Sequence, residues 1–337
     1  MNKQQFLELY AKFAWPWLRH FVRISKRCKQ CLLSEAYGPL SMGLCRHCSD
    51  LNQITNDKTT LNHALESDYI DKFDRKMQSS VGTDRKYDAL LMLSGGKDSA
   101  YILDKIRRDY PNLKILALFV NNGFSSQFAV RNAHHIAEKT HTDLMVSNSQ
   151  ILEFSEVFRY AFLSLNGRGS YGVVDFADGE MIFSIGQRVA QDFGIPLIIG
   201  GLSWVQVQMI VGSDSFELVK DTKPTIIFPL AVWRTNEREI IQIVRDGQLL
   251  LPGSESPIVS NNDLILAMSA IDILNLGYCS FEPEFAQLIR EGKTDRKTWL
   301  YLFELLEYAT KKGFLKTDVE SALKKLNLTV RDIVKES

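Results

Sequence analysis

The chain has 337 residues, 45% hydrophobic and 24% charged, enough to bury two domains or one large core and too apolar to be disordered or fibrous. Its 40 Lys/Arg balance 40 Asp/Glu, which excludes a global basic field for nucleic acid but leaves room for a local basic patch. Five cysteines are too few for a disulfide-built fold, and no run of 18 uncharged apolar residues predicts a transmembrane helix, so the expected location is the cytoplasm.

Residues 5–24 are apolar but broken by Glu8, Lys12, Arg19 and Arg23, which does not fit a signal peptide. The stretch predicts an amphipathic helix interrupted at Pro16. Residues 1–30 carry seven Lys/Arg against one acid, Glu8. Two readings stay open: a helix packed on its own domain with a solvated basic face, or a helix that docks a partner, RNA or a membrane surface.

Cys28, Cys31, Cys45 and Cys48 form two C-x2-C pairs separated by 13 residues. Each pair presents two thiolates from one tight turn, and two such turns complete a tetrahedron around Zn2+. Gly43 and the Gly38-Pro39 pair supply turns. A redox or iron–sulfur role is the competing reading, and His47 is a substitute ligand. A closed four-sulfur site is expected to fold a short lobe rather than to catalyse. Residues 51–86 are polar and predict a helical connector.

Residues 87–93, YDALLML, have the pattern of a buried parallel strand. Ser94, Gly95, Gly96, Lys97, Asp98 and Ser99 follow, then an amphipathic segment over 100–108 with Ile102, Leu103 and Ile106 on one face. Strand, glycine loop and helix start make an anion site: two glycines let the backbone approach, the helix start offers N–H groups, and Lys97 adds a cation. The loop is neither G-x-x-x-x-G-K-[ST] nor G-x-G-x-x-G. Downstream, residues 114–120, 144–146 and 195–199 predict strands, and 131–139 and 180–192 predict helices. This alternation predicts an α/β fold, a doubly wound, mostly parallel sheet whose ligand sits at the carboxyl ends of strands. Those ends fall at 94–99, 121–123, 147–148 and 200–203.

SGGKDS resembles the PP-loop, S-G-G-x-D-S, of the N-type ATP pyrophosphatases. The resemblance implies an adenine nucleotide alpha-hydrolase-like fold, with ATP gripped by residues 94–99 and cleaved between the α and β phosphates. It implies adenine contact at Val120, Asn121 and Asn122, for which turn chemistry is the alternative, and a strand-end turn at Gly200 and Gly201. Phe228-Pro229-Leu230 followed by Arg234 and Glu237 matches the family's P-L segment, basic residue and helix. Lys97, the helix dipole and Mg2+ would neutralise the departing pyrophosphate, with Asp98 facing the metal or bracing the loop.

The four cysteines ahead of SGGKDS further resemble the N-acetyl sugar amidotransferases of surface polysaccharide (lipopolysaccharide) biosynthesis. That resemblance implies a nucleotide-sugar substrate and ammonia from a partner glutaminase. The chain departs from that family where it has a second C-x2-C, here occupied by Asp175, Asp178, Gly179 and Glu180. It departs again at a G-E-N turn, here Gly200 to Gln206. Asp178 and Glu180 are candidate catalytic residues, as a Mg2+ ligand or a general base, or else helix N-terminal acids complementing the dipole. A tRNA-thiolating enzyme is the rival reading, with Cys279 as the one remaining thiol, and a non-catalytic nucleotide-binding assembly protein is the third. Residues 252–257, PGSESP, predict a linker, and helical patterns at 263–276, 284–291, 297–311 and 317–326 predict an all-α appendage. The expected organisation is a basic helix (1–27), a zinc lobe (28–50), a connector (51–86), an ATP-binding domain (87–251) and a helical C-terminal domain (258–337).

Overall fold

Apolar runs with no polar alternation become strands covered on both faces, and the computed structural model bears this out. It describes residues 3–51, 58–148, 150–211, 215–218, 224–254 and 262–334. The helices, in chain order, are α1 (Lys3–Phe13), α2 (Trp15–Leu18), α3 (Arg46–Leu51), α4 (Lys58–Ser79), α5 (Lys97–Asp109), α6 (Gln127–Lys139), α7 (Ile151–Leu163), α8 (Phe176–Asp192), α9 (Trp204–Gln206), α10 (Pro229–Trp233), α11 (Glu237–Asp246), α12 (Ile265–Leu276), α13 (Glu282–Arg290), α14 (Arg296–Lys311), α15 (Lys316–Lys324) and α16 (Val330–Ile333). The strands are β1 (Ala89–Met92), β2 (Ile115–Val120), β3 (Asp143–Ser147), β4 (Leu197–Ile199), β5 (Glu217–Leu218) and β6 (Thr225–Ile227).

The chain divides into two units. One comprises Asn56–Ile151 and Gly179–Pro257 and holds the sheet, in the order β3-β2-β1-β4-β6-β5. All pairings are parallel except β5 with β6. Every residue of β1, β2 and β4 is buried, which explains their continuous apolar runs. The connections β1–α5–β2 and β2–α6–β3 step one way along the sheet, and the chain then returns to place β4 on the other side of β1. Ile102, Leu103 and Ile106 form the buried stripe of α5, as their spacing predicts. The strand order reverses between β1 and β4, so the crevice beyond their carboxyl ends is the topological switch point.

The other unit comprises Met1–Thr55, Leu152–Asp178 and Ile258–Ser337. The N-terminal segment, the cysteine lobe and the C-terminal helices thus pack as one body. Leu7, Ala11 and Trp15 are buried along one side of α1 and α2, and α1 lies on α14. Trp15 donates to Glu304 at 3.0 Å, and Arg19 donates to the same carboxylate. Arg27 is buried between Glu282 (2.7 Å) and Glu307 (3.1 Å), fastening the cysteine lobe to α13 and α14. The basic run is therefore divided: Arg19 and Arg27 are consumed internally, while Lys12, Arg23, Lys26 and Lys29 remain exposed. No described helix is long and apolar enough to cross a membrane. Residues 52–57 of the expected connector and 255–257 of the expected linker lie outside the described residues.

Candidate functional site

The glycine loop joins β1 to α5 and stands at the switch point. Gly95 has φ +74°, and a Cβ there would come within 2.1 Å of the Ala129 carbonyl oxygen, so only glycine lets the loop lie this close to α6. Buried Asn132 on α6 donates to the Gly95 carbonyl at 3.0 Å and accepts from Leu251 N–H, bracing the loop from behind. Ser94 and Ser99 face each other at 3.0 Å, and Ser99 Oγ donates to the Gly96 carbonyl. Gly96 is the N-cap of α5 and brings no capping side chain. The N–H groups of the first turn and the positive dipole end thus open onto the crevice, the arrangement that binds phosphate.

Lys97 pairs with Asp98 at 2.8 Å and with Glu237, at the start of α11, at 3.6 Å. Burial works to lower its pKa, but Asp98 and Glu237 outweigh it and hold Lys97 above the usual lysine range. The ammonium is therefore charged and already positioned beside the helix start. Glu237 is a residue that sequence reasoning placed only as a helix start. Its signal was the acid in the first turn of a segment following the P-L pair. Arg234, the basic residue after the P-L segment, is the left-handed C-cap of α10, with its guanidinium 4.4 Å from the Trp204 ring centroid.

The neighbouring strand ends complete the rim. Val120 closes β2. Asn121 donates to Asn148 at 2.9 Å and accepts from Gly123 N–H, while buried Asn122 accepts from Phe124 N–H and Ser125. Both asparagines therefore perform turn chemistry, and Asn121 does so at the open end of the strand. At Gly200 a Cβ would come within 2.8–2.9 Å of the Phe228 and Phe183 rings, which explains a glycine directly after β4. Gly201 follows, and the turn ends in a reciprocal Ser203–Gln206 capping box on α9.

Asp175 and Asp178 fall in the other unit. Asp175 ends a π-helical turn over Tyr171–Asp175 that runs into α8. Loss of solvent, then the nearby Asp178 and Glu284, push its carboxyl up to about 7. Asn262 donates to Asp178 at 3.4 Å. Glu180 is exposed and two positions on, a spacing at which helix side chains do not face each other, so it does not join this pair. Cys279 is buried, 3.5 Å from the Ser269 hydroxyl, and burial pushes its thiol well above the usual range. It is a protonated core thiol rather than a nucleophile.

The four remaining cysteines converge. Their sulfurs all lie within 4.8 Å of one another, with Cys31 and Cys45 at 3.7 Å. Each pair sits on a knuckle: Cys28 N–H donates to the Leu33 carbonyl, and Lys29 N–H to the carbonyl of Gly43, whose φ is +83°. Tetrahedral thiolates around one ion at ~2.3 Å stand ~3.8 Å apart, a spacing these sulfurs could adopt around a metal. Burial opposes ionisation of Cys28, but backbone N–H groups from Cys31, Cys45 and Gln30 bring it down to about 7. Burial and the neighbouring Cys31 push Cys48 up, so a cation is what would let all four ionise together. His47 is exposed and outside this set.

No protein-family model matches the chain, and no curated protein matches it in sequence. Among solved structures it is similar to the U34-tRNA thiolase NcsA from Methanococcus maripaludis, seen with its 4Fe-4S cluster (17% identity, 88% of this chain and 89% of that one, TM-score 0.39). It is also similar to an NMN synthetase from Francisella tularensis (12% identity, 73% and 95%, TM-score 0.40). A third is an NH3-dependent NAD synthetase from Campylobacter jejuni (16% identity, 75% and 96%, TM-score 0.36).

Proposed function

We propose that the chain is an AMP-forming ATP pyrophosphatase that activates a carbonyl-type oxygen and exchanges it for nitrogen. The observation that carries this reading is the SGGKDS loop at the switch point, with the uncapped start of α5 and the prepositioned Lys97 aimed at one anion. The N–H groups of residues 97–99 and the Lys97 ammonium would hold the pyrophosphate of ATP and take up charge as it leaves. Asp98, whose side chain is 41% exposed, is the carboxylate free enough to meet Mg2+. The rim at Val120, Asn121 and Asn122 would take adenine, and the Gly200–Gly201 turn the nucleotide's other side.

In the reaction, the acceptor oxygen attacks the α-phosphorus and pyrophosphate departs. Ammonia then adds to the activated carbon, loses a proton to a base, and AMP leaves with the oxygen. An N-acetyl sugar is the acceptor that the sequence resemblance favours, with ammonia supplied by a partner glutaminase. The buried, protonated Cys279 supports nitrogen over sulfur, because no other cysteine lies outside the metal-type cluster. One Zn2+ held by Cys28, Cys31, Cys45 and Cys48 would fold the lobe and take no part in the chemistry.

The test is product analysis. Incubation with Mg-ATP, ammonium and a panel of N-acetylated nucleotide sugars is expected to release AMP and pyrophosphate. Release of ADP and phosphate would overturn the assignment.

A further inference from the structure

Besides the buried side that packs on α14, the N-terminal segment has a second apolar side. Phe6 (47% exposed), Leu9 (46%), Phe13 (65%), Trp17 (77%) and Phe21 (87%) recur every three or four residues along α1, α2 and the turn after them. Opposite them Leu7, Ala11 and Trp15 are buried. A solvated helix needs only one apolar stripe, and this unit leaves the outer row largely uncovered.

The row leads into a groove. Phe21, Ile24 and Tyr308 line a cavity of about 540 Å³ whose polar wall holds Arg23, Lys311 and Lys312 against one acid, Glu35. Exposed Phe314 (62%) lies tilted against Tyr308, ring centroids 6.0 Å apart, and extends the apolar rim. Lys311 is engaged by Glu307 at 2.7 Å. Lys12, Arg23 and Lys312 have no ion pair among the described residues. Aromatic rings and unpaired cations thus share one surface.

We propose that this surface docks the chain onto an anionic lipid bilayer, with the aromatic row at the headgroup boundary and Lys12, Arg23 and Lys312 against lipid phosphates. The chemistry is that of an interfacial helix: Trp and Phe enter the boundary region while Lys and Arg meet negative headgroups. A nucleic acid would be gripped chiefly by cations along its backbone, whereas here five apolar side chains outnumber the unpaired cations.

Vesicle co-sedimentation of the full chain tests this. Binding to equimolar phosphatidylcholine–phosphatidylglycerol vesicles, and little to phosphatidylcholine alone, is expected. The double variant Trp17→Ser/Phe21→Ser should bind at least about tenfold more weakly. Arg23→Glu and Lys312→Glu should each cost about fivefold on anionic vesicles. Metal content and circular dichroism of these surface variants verify that the fold persists. In a second measurement, brominated lipid should quench the wild type more than Trp17→Phe. The proposal is overturned if the wild type stays in the supernatant, or if the variants and wild type partition equally. It is also overturned if the surface binds single-stranded RNA but no vesicles, or if the aromatic row proves to hold two copies of the chain together.

Discussion

Gly95 shows how tightly single residues set the glycine loop. Its positive φ and the Ala129 carbonyl oxygen 2.1 Å from any Cβ mean that Gly95→Ala must move the loop or α6. A loss of about 1–3 kcal/mol in urea unfolding is expected, with a larger loss in ATP affinity because the N–H groups are displaced together. Lys97→Ala and Asp98→Ala act on charge rather than shape, and each is expected to slow AMP release ~100–1,000-fold with stability little changed. Asp175 gives a different signature. Its folded pKa near 7 lies above the ordinary 3.8, so the folded state retains a proton that the unfolded chain gives up. Its contribution is therefore most favourable below pH 3.8, declines as pH rises to 7, and stays unfavourable above. Asp175→Asn is expected to raise stability at pH 8 by on the order of 2–4 kcal/mol and to change little at pH 4, read by urea midpoints at the two values. An equal shift at both would show that packing, not ionisation, sets the effect.

Elements differ in how plainly their sequences declare them. β1, β2 and β4 could be read because strands buried on both faces are unbroken apolar runs, and the strand–glycine–helix order could be read because anion binding restricts residue choice. β5 has only two residues, too short for periodicity, and β6 begins on half-buried Thr225, which shortens its apolar run. α7 does carry buried Phe154, Phe158, Ala161 and Phe162 at helical spacing, but exposed Leu152, Tyr160 and Leu163 blur the stripe. α10 is hidden by its own Pro229, which starts a short helix rather than breaking one. Least legible was the union of the cysteine lobe with α13 and α14, because Arg27 meets Glu282 and Glu307 across more than 250 residues. Removing Arg27 would leave buried Glu282 without its cation and Glu307 with Lys311 alone. Arg27→Met is expected to destabilise this unit by about 3–5 kcal/mol, seen as early loss of metal on heating. Arg19→Met, at a partly exposed pair, should cost far less.

At the scale of the whole chain, the proposed reaction could exchange the activated oxygen for nitrogen or for sulfur, and the distribution of sulfur decides what to expect. Four of five cysteines converge within 4.8 Å of one another, and in the proposed reading a metal held there would keep their thiolates from sulfur delivery. The fifth, Cys279, is enclosed, hydrogen-bonded to Ser269 and held protonated by burial. A sulfur carrier must do the reverse: expose its thiol, ionise near neutral pH and accept a persulfide from outside. Ammonia transfer asks for no thiol, only an acceptor made electrophilic by adenylation and a base to take the surplus proton. Cys279→Ser replaces a buried sulfur by a slightly smaller hydroxyl beside Ser269 and Asp272, so the fold should persist. With ammonium as donor, the variant is expected to release AMP at the wild-type rate, and mass spectrometry of the wild type should find Cys279 unmodified. A persulfide on Cys279, together with loss of turnover in the serine variant, would assign the reaction to sulfur while leaving the ATP site as described.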